Sequence, residues 1–233
     1  MSVPYFYEPL LIIGNQRFQL SPETSKHCIQ VLRMKEGAAI DLTNGTGTIF
    51  QATIQSAHKS NTLVSIQSHQ VIQAPRQKIT IGISLLKNVV RLEWLFEKAT
   101  EMGVHQIVPL ICERTIHERC KMDRMQHILQ SAMIQSQQAW LPSLSAPITF
   151  NEFLTQHQAS VKLLAHCDAG DKKNIKEIVA TDDVILLIGP EGDFTPTEIE
   201  TATQQQYLPI HLGPTRLRTE TAGIFALSVL KIF

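Results

Sequence analysis

"LLIGPEGDFTPTEIE", residues 186–200, decides the fold. An aliphatic run stops at Gly189-Pro190-Glu191-Gly192, places a carboxylate in the turn, and restarts as a helix. The run is apolar throughout, as a strand covered on both faces must be. Thr195 is placed to cap the following helix, Pro196 sits at its first position, and Glu198 completes a Thr-x-x-Glu capping box. Residues 189–194 therefore read as an ordered loop between a buried strand and a well-started helix. Its glycines let backbone approach a ligand closely, and in open α/β sheets ligands sit beyond the carboxyl ends of the strands.

The surrounding pattern repeats that rhythm. Strands are expected over 79–86, 105–111, 161–166, 184–189 and 208–213, and helices over 88–102, 122–138, 172–180, 197–206 and 219–233. Leu92, Leu95, Phe96, Ala99 and Met102 share one helical face, and Gly103 follows as a stop. Alternating strands and helices mean an α/β layer on a parallel sheet. The first 73 residues differ. Segments 38–43, 48–54 and 62–69 read as strands, the first two joined through Asn44-Gly45, a hairpin signal. A helix capped by Ser21 with Pro22 in its first turn covers 22–34. This predicts a small barrel over 1–73, with a linker near 71–78 leading into a larger domain over 74–233. The last helix is apolar nearly all round after Thr221, so it is a core helix or packs on a second copy of the chain.

The 233 residues are 43% hydrophobic and 18% charged, suited to a globular core. Lys+Arg and Asp+Glu each number 21, so the net charge is zero, and a nucleic-acid partner would need a local basic patch. No apolar run reaches membrane-span length. The opening MSVPYFYEPLL does not read as a signal peptide, and a cytoplasmic protein is expected. Its four cysteines, Cys28, Cys112, Cys120 and Cys167, are expected as reduced thiols. Cys112, His117, Cys120 and His127 do not match a common zinc spacing, so no metal is expected.

Three strand ends follow one another: residues 163–168, 186–194 and 210–221. Neither a Walker loop nor a Gly-x-Gly-x-x-Gly fingerprint is present. Residues 189–192 fit a tight turn as well as a ligand loop. In the third segment Arg216, Arg218 and Glu220 precede an apolar helix. Either Thr219 caps it and Glu220 complements its dipole, or an arginine binds phosphate or a base edge.

"LLIGPEGDF" (186–194) followed by "LGPTRLRTETAGIFAL" (212–227) resembles the signature of the RsmE family, SPOUT-class methyltransferases that act on N3 of a uridine in small-subunit (16S) ribosomal RNA. "HCIQVLRMKEG" (27–37) is similar to that family's PUA-like RNA-binding segment, "KNVVRLEWLFEKATEMGVHQIVPLICERT" (87–115) to its K…E…K-x-x-E-L-G-V…P…E-R stretch, and "LLAHCD" (163–168) to a short loop. Asp193 stands where the family has a glycine, and Ile134 and Gln138 where it has a Glu and an Arg. The resemblance implies a PUA-like β-barrel at the N-terminus, a trefoil knot over about 161–233, a homodimer, and S-adenosylmethionine as cofactor. It would be cradled by Leu164, Ala165 and His166 from the first loop and by Ile188, Gly189, Pro190, Glu191 and Gly192 from the second. His211, Leu212, Gly213, Leu217, Arg218, Thr221 and Ala222 would close it from the third.

Methylating uracil N3 requires removal of its proton, so a carboxylate within reach acts as base. Glu191 and Glu220 compete for that role, and Arg218 would stabilise charge on the base oxygens. Arg17, Lys26, Arg33, Lys35 and Arg216 are candidate RNA contacts. The partner would be 16S rRNA within the assembled small subunit, whose shaped surface makes strong overall positive charge unnecessary. Two other readings stand beside this one. The chain is a SPOUT enzyme acting on transfer RNA or a ribose hydroxyl, or it is a non-catalytic RNA-binding assembly factor.

Overall fold

The computed structural model describes residues 3–179 and 183–232. The chain divides into two compact units, Met1–Ala74 with Met133–Leu141, and Pro75–Ala132 with Pro142–Phe233.

The first unit contains β1 (Tyr5–Tyr7), β2 (Arg17–Gln19), α1 (Pro22–Lys26), β3 (Ala39–Thr43), β4 (Thr48–Ser56) and β5 (Leu63–Val71). They form one five-stranded sheet in the order β1-β3-β4-β5-β2, with β1 parallel to β3 and the other pairs antiparallel. Alternation along β4 turns Phe50, Ala52 and Ile54 into a core with Leu11, Leu20, Ile40, Leu42 and Val64. The turn after β3 and the residue after β5 also meet residues 139–141. Gly47 N donates to Ala139 O at 2.8 Å, Leu141 N to Gly45 O at 2.9 Å, and Trp140 Nε1 to Ile72 O at 3.1 Å. Gly45 and Gly47 have φ of +74° and +92°, and a Cβ on Gly47 would enter the Trp140 ring. The turn thus needs glycine for both its backbone and its neighbour. Ser21 caps α1 as expected, accepting from Thr24 N at 3.3 Å. The helix expected over 22–34 stays α-helical only to Lys26; His27–Val31 then widen into a π turn, where Leu32 N donates to His27 O at 3.0 Å.

The second unit holds β6 (Ile79–Ser84), α2 (Val89–Glu101), β7 (Gln106–Ile111) and the start of α3 (Met122–Gln135). After the return at residue 142 come β8 (Ser143–Leu144), β9 (Ile148–Thr149), α4 (Phe150–Gln156), β10 (Val161–Ala165) and β11 (Lys173–Asn174). The chain closes with β12 (Val184–Ile188), α5 (Pro196–Gln204), β13 (Leu208–His211) and α6 (Thr219–Ile232). The sheet order is β11-β13-β10-β12-β6-β7-β8, with β9 also pairing β7, and every pair is parallel. Helices cover both faces, so β12 is buried at all its positions.

Period-two alternation sorts β6. Gly82 faces Leu187, Leu110 and Phe153, whereas Ile81 and Ile83 face Leu95 and Gly223. Gly223 lets α6 settle on α2 and β6, since a Cβ there would lie 2.8 Å from Leu95 Cδ1. Gly103 ends α2 at φ +69°, with its N–H donating to Thr100 O at 2.8 Å. Two segments depart from sequence expectation. No helix forms over 172–179; residue 180 lies outside the described residues. Lys173 and Asn174 instead pair with Ile210 and His211, and Asn174 accepts from Lys176 N at 3.1 Å to cap a single 3-10 turn over Ile175–Glu177. Asn favours such local caps, and Ile175, Ile178 and Val179 are β-branched and resist helix. Conversely, α4 forms within what read as a loop. Thr149 and Glu152 make a capping box, and Phe150, Phe153 and Leu154 are buried.

Candidate active site

The register places Ala165 between Ile188 and Ile210, so β10, β12 and β13 end side by side. Sheet order reverses there. β12, which follows β10 in the chain, lies between it and β6, while β13 lies on its other side. A cavity of about 640 Å³ opens beyond these ends, within the range of small-molecule and cofactor sites.

Its second wall is the loop over 189–194. A Cβ on Gly189 would sit 3.1 Å from the Phe194 ring and from Phe194 N, so glycine fits here without displacing either. Phe194 is buried against Phe150, with ring centroids 5.2 Å apart. Asp193 N donates to Pro190 O at 2.9 Å, closing the turn with Asp193 at φ +64°. Arg114, from the segment after β7, donates through Nη1 to Gly192 O at 2.7 Å and Phe194 O at 3.4 Å. The loop hands over to α5 through the expected cap. Thr195 N donates to Glu198 Oε2 at 2.8 Å, and Glu198 N to Thr195 Oγ1 at 3.3 Å. Glu191 is exposed, and its Oε1 accepts from Lys87 N at 3.1 Å.

The first wall carries His166, which is 9% exposed, with neither ring nitrogen hydrogen-bonded to the chain. Burial, reinforced by the nearby Lys172 ammonium, pushes its pKa below the ordinary 6.5, favouring neutral imidazole. Lys172 Nζ donates to His166 O at 3.1 Å and to Asp168 O at 2.5 Å.

The third wall runs over 211–220. Gly213 has φ +117° with open space where a Cβ would stand. Thr219 is the first residue of α6, and Arg218 O accepts from Ala222 N at 2.7 Å. Arg218, rather than Thr219, therefore takes the N-cap position. Glu220 is buried, and its Oε1 lies 3.6 Å from Arg91 Nε of α2.

Of the residues singled out in the sequence, Ala165, His166, Ile188, Gly189, Pro190, Glu191, His211, Leu212, Gly213, Arg216, Leu217, Arg218, Glu220 and Ala222 line the cavity. Leu164 points into the core, and Gly192 and Thr221 are exposed outside the lining. Arg17, Lys26, Arg33 and Lys35 are all exposed in the first unit. The lining also includes Arg91, Cys167, Lys172 and Asp193, which sequence reasoning did not assign to it. Arg91 was hidden because its helix is distant in sequence; Lys172 was masked by the expected helix. All four cysteines are free, with Cys112 buried and its thiol pushed up to about 12 by burial. Among the described residues no His/Cys/Asp/Glu group is arranged to hold a metal ion.

The walls are of mixed charge, with Arg91, Lys172, Arg216 and Arg218 beside Glu191, Asp193 and Glu220. Gly189 and Gly213 bring loop backbone to the cavity, and His166 is among the lining residues with both ring nitrogens buried and without a hydrogen-bond partner. The chain is similar to solved methyltransferase structures. It is 27% identical to ribosomal RNA small subunit methyltransferase E of Neisseria gonorrhoeae bound to S-adenosyl methionine, covering 99% of this chain and 98% of that one, with a TM-score of 0.89. It is 33% identical to a Legionella pneumophila protein solved with its bound cofactor SAM, covering 100% and 98%, with a TM-score of 0.90. Ribosomal RNA small subunit methyltransferase E of Bacillus subtilis is 28% identical over 91% of this chain and 89% of its own length. The RNA methyltransferase PUA domain matches residues 20–67 and the RNA methyltransferase domain residues 73–231, and the chain belongs to that RNA methyltransferase family.

Proposed function

We propose that this protein transfers the methyl group of S-adenosylmethionine to N3 of a uridine in the 16S RNA of the small ribosomal subunit. The observation that carries the reading is a buried carboxylate, Glu220, at the wall of a cavity built from three parallel-strand ends, with Arg91 beside it and Arg218 on the preceding turn. Relatives covering nearly the whole chain carry the names of small-subunit ribosomal RNA methyltransferases, and two related structures hold this cofactor.

The cofactor supplies an electrophilic methyl group on a sulfonium. The chain supplies placement and proton handling. Glu220 accepts the N3 proton, since it is buried yet open to the cavity, and Arg91 orients it. Arg218 offers a planar cation to the uracil oxygens as charge develops there. Glu191 is the competing base; its bond to Lys87 N favours a role as anchor of the loop. The loops over 165–166, 188–191 and 211–213, together with Leu217 and Ala222, form the cofactor cradle. His166 packs at its wall, with burial favouring the neutral ring.

The same reading extends to partners. The exposed Lys26, Arg33 and Lys35 of the RNA methyltransferase PUA domain, with Arg17 just before it and Arg216 in the second unit, contact RNA phosphates. A target uridine presented out of its stack suits a structured RNA such as the assembled subunit. Val90 and Trp94 of α2 are 72% and 43% exposed, and they support a second copy covering this face as a homodimer. The crossing order of β10, β12 and β13 supports a SPOUT-type trefoil knot over 161–233, following a first domain over 1–73. No described helix is long and apolar enough to cross a membrane, in keeping with work on cytoplasmic ribosomes.

Incubation of donor and protein with small subunits, followed by nucleoside mass spectrometry, should reveal 3-methyluridine. A methyl group on a ribose, or none at all, would overturn this reading.

A further inference from the structure

We propose that Asp193 is a positioning residue that holds two walls of the cavity at a fixed separation before any ligand arrives. The inference rests on the methyl-donor reading of that cavity.

The β10–β12 ladder ends at the pair Ala165–Ile188. Beyond it the two chains diverge into loops, and ladder bonds no longer set their spacing. Asp193 supplies the next link. Its Oδ2 accepts from Cys167 N at 2.7 Å, and its Oδ1 accepts from Phe194 N at 2.8 Å. The side chain therefore ties the loop bearing His166 to the loop bearing Gly189 and Glu191.

Three features make the tie rigid. Asp193 sits at φ +64°, a conformation in which Asp is among the few tolerated side-chain-bearing residues. Its own N–H is committed to Pro190 O at 2.9 Å. The neighbour it braces, Phe194, is buried and packed on Phe150. Charge-assisted bonds from a carboxylate to backbone N–H groups are stronger than neutral ones. A turn that needed only a positive φ would be served better by glycine. The carboxylate is what Asp adds, and both its oxygens are spent on the two loops. The resulting separation between His166 and Gly189 would otherwise have to be imposed by the ligand, at a cost in affinity.

The test compares the parent with Asp193→Gly, which suits the backbone but removes both bonds, and Asp193→Asn, which keeps one acceptor oxygen. Amide hydrogen exchange of donor-free protein reads the tie directly, and calorimetry with S-adenosylmethionine reads its consequence. Faster exchange at Cys167 and about tenfold weaker donor binding are expected for D193G. D193N should fall between, and KM for RNA should stay at the parental value in both. Parental exchange at Cys167 or parental donor affinity in D193G would overturn the inference while leaving the methyl-donor reading intact. A parent that binds no donor would instead sink that reading and the inference with it.

Discussion

Glu220 Oε1 lies 3.6 Å from Arg91 Nε, joining the first turn of α6 to the first turn of α2 at the cavity wall. The carboxylate side chain is 11% exposed and the arginine 37%. A partly buried pair of this kind orients its members more than it stabilises the fold, because solvent screens the exposed arginine. Glu220→Gln keeps the size and removes the base. Methyl transfer should fall by about 10²–10⁴-fold, the usual contribution of a positioned general base, with donor affinity close to parental. Separate measurement of turnover and of donor binding checks this. Equal turnover in parent and variant would remove Glu220 from the chemistry.

Glu191 gives the contrasting case. Its Oε1 accepts from Lys87 N at 3.1 Å, and the side chain is exposed. Glu191→Gln retains an acceptor oxygen and should keep turnover near the parental level. Glu191→Ala loses the anchor and should raise KM for the donor several-fold, as about 1–2 kcal/mol for one lost hydrogen bond predicts. If Glu191→Gln abolishes turnover while Glu220→Gln spares it, the two roles are reversed.

Buried His166 makes stability depend on pH. Its pKa is held below 6.5, chiefly by burial, so the folded chain keeps the ring neutral while the unfolded chain binds a proton. Above pH 6.5 both states are neutral and the residue contributes no slope. Below it the unfolded state gains protons first, and stability drops as pH falls toward the folded value. Urea titrations of His166→Gln between pH 7.5 and 5.5 should show a shallower acid loss than the parent. His105, also lowered chiefly by burial, retains part of the slope.

Gly82 tests the packing of the sheet. A Cβ there would stand 2.6 Å from Leu187 Cδ2 and 3.2 Å from both Leu110 Cδ1 and Phe153 Cε2. All three are fully buried, so none can swing into solvent. Gly82→Ala should cost about 1–3 kcal/mol by overpacking, seen as a lower urea midpoint with an unchanged m-value. An unaltered midpoint would mean that the core has slack at this position.

The parts most legible in the sequence were those governed by neighbours along the chain. Thr195, Pro196 and Glu198 announced α5, and Ser21 announced the start of α1, because caps depend on residues three apart. An aliphatic run announced β12 because burial on both faces excludes polar residues, and the buried Leu163, Leu164 and Ala165 announced the end of β10. Lys172 to Val179 misled the same reasoning. The strand–helix alternation placed a helix there, yet the edge of β13 offered Lys173 and Asn174 a ladder partner that local propensity cannot foresee. Thr149 and Glu152 carried a capping box like that of α5, but α4 was passed over because prolines and a short length obscured it.

The amino-acid order by itself determined the alternation of strands and helices, the loop over 189–194, and the three segments that could meet a ligand, since these follow from periodicity, glycine and proline. Tertiary structure alone decided that β12 would insert between β10 and β6, and that Arg91 would face Glu220 across 129 positions of chain. It also decided that Asp193 would reach Cys167. Strand order and cross-loop contacts depend on how whole faces bury one another, and no local pattern encodes that choice.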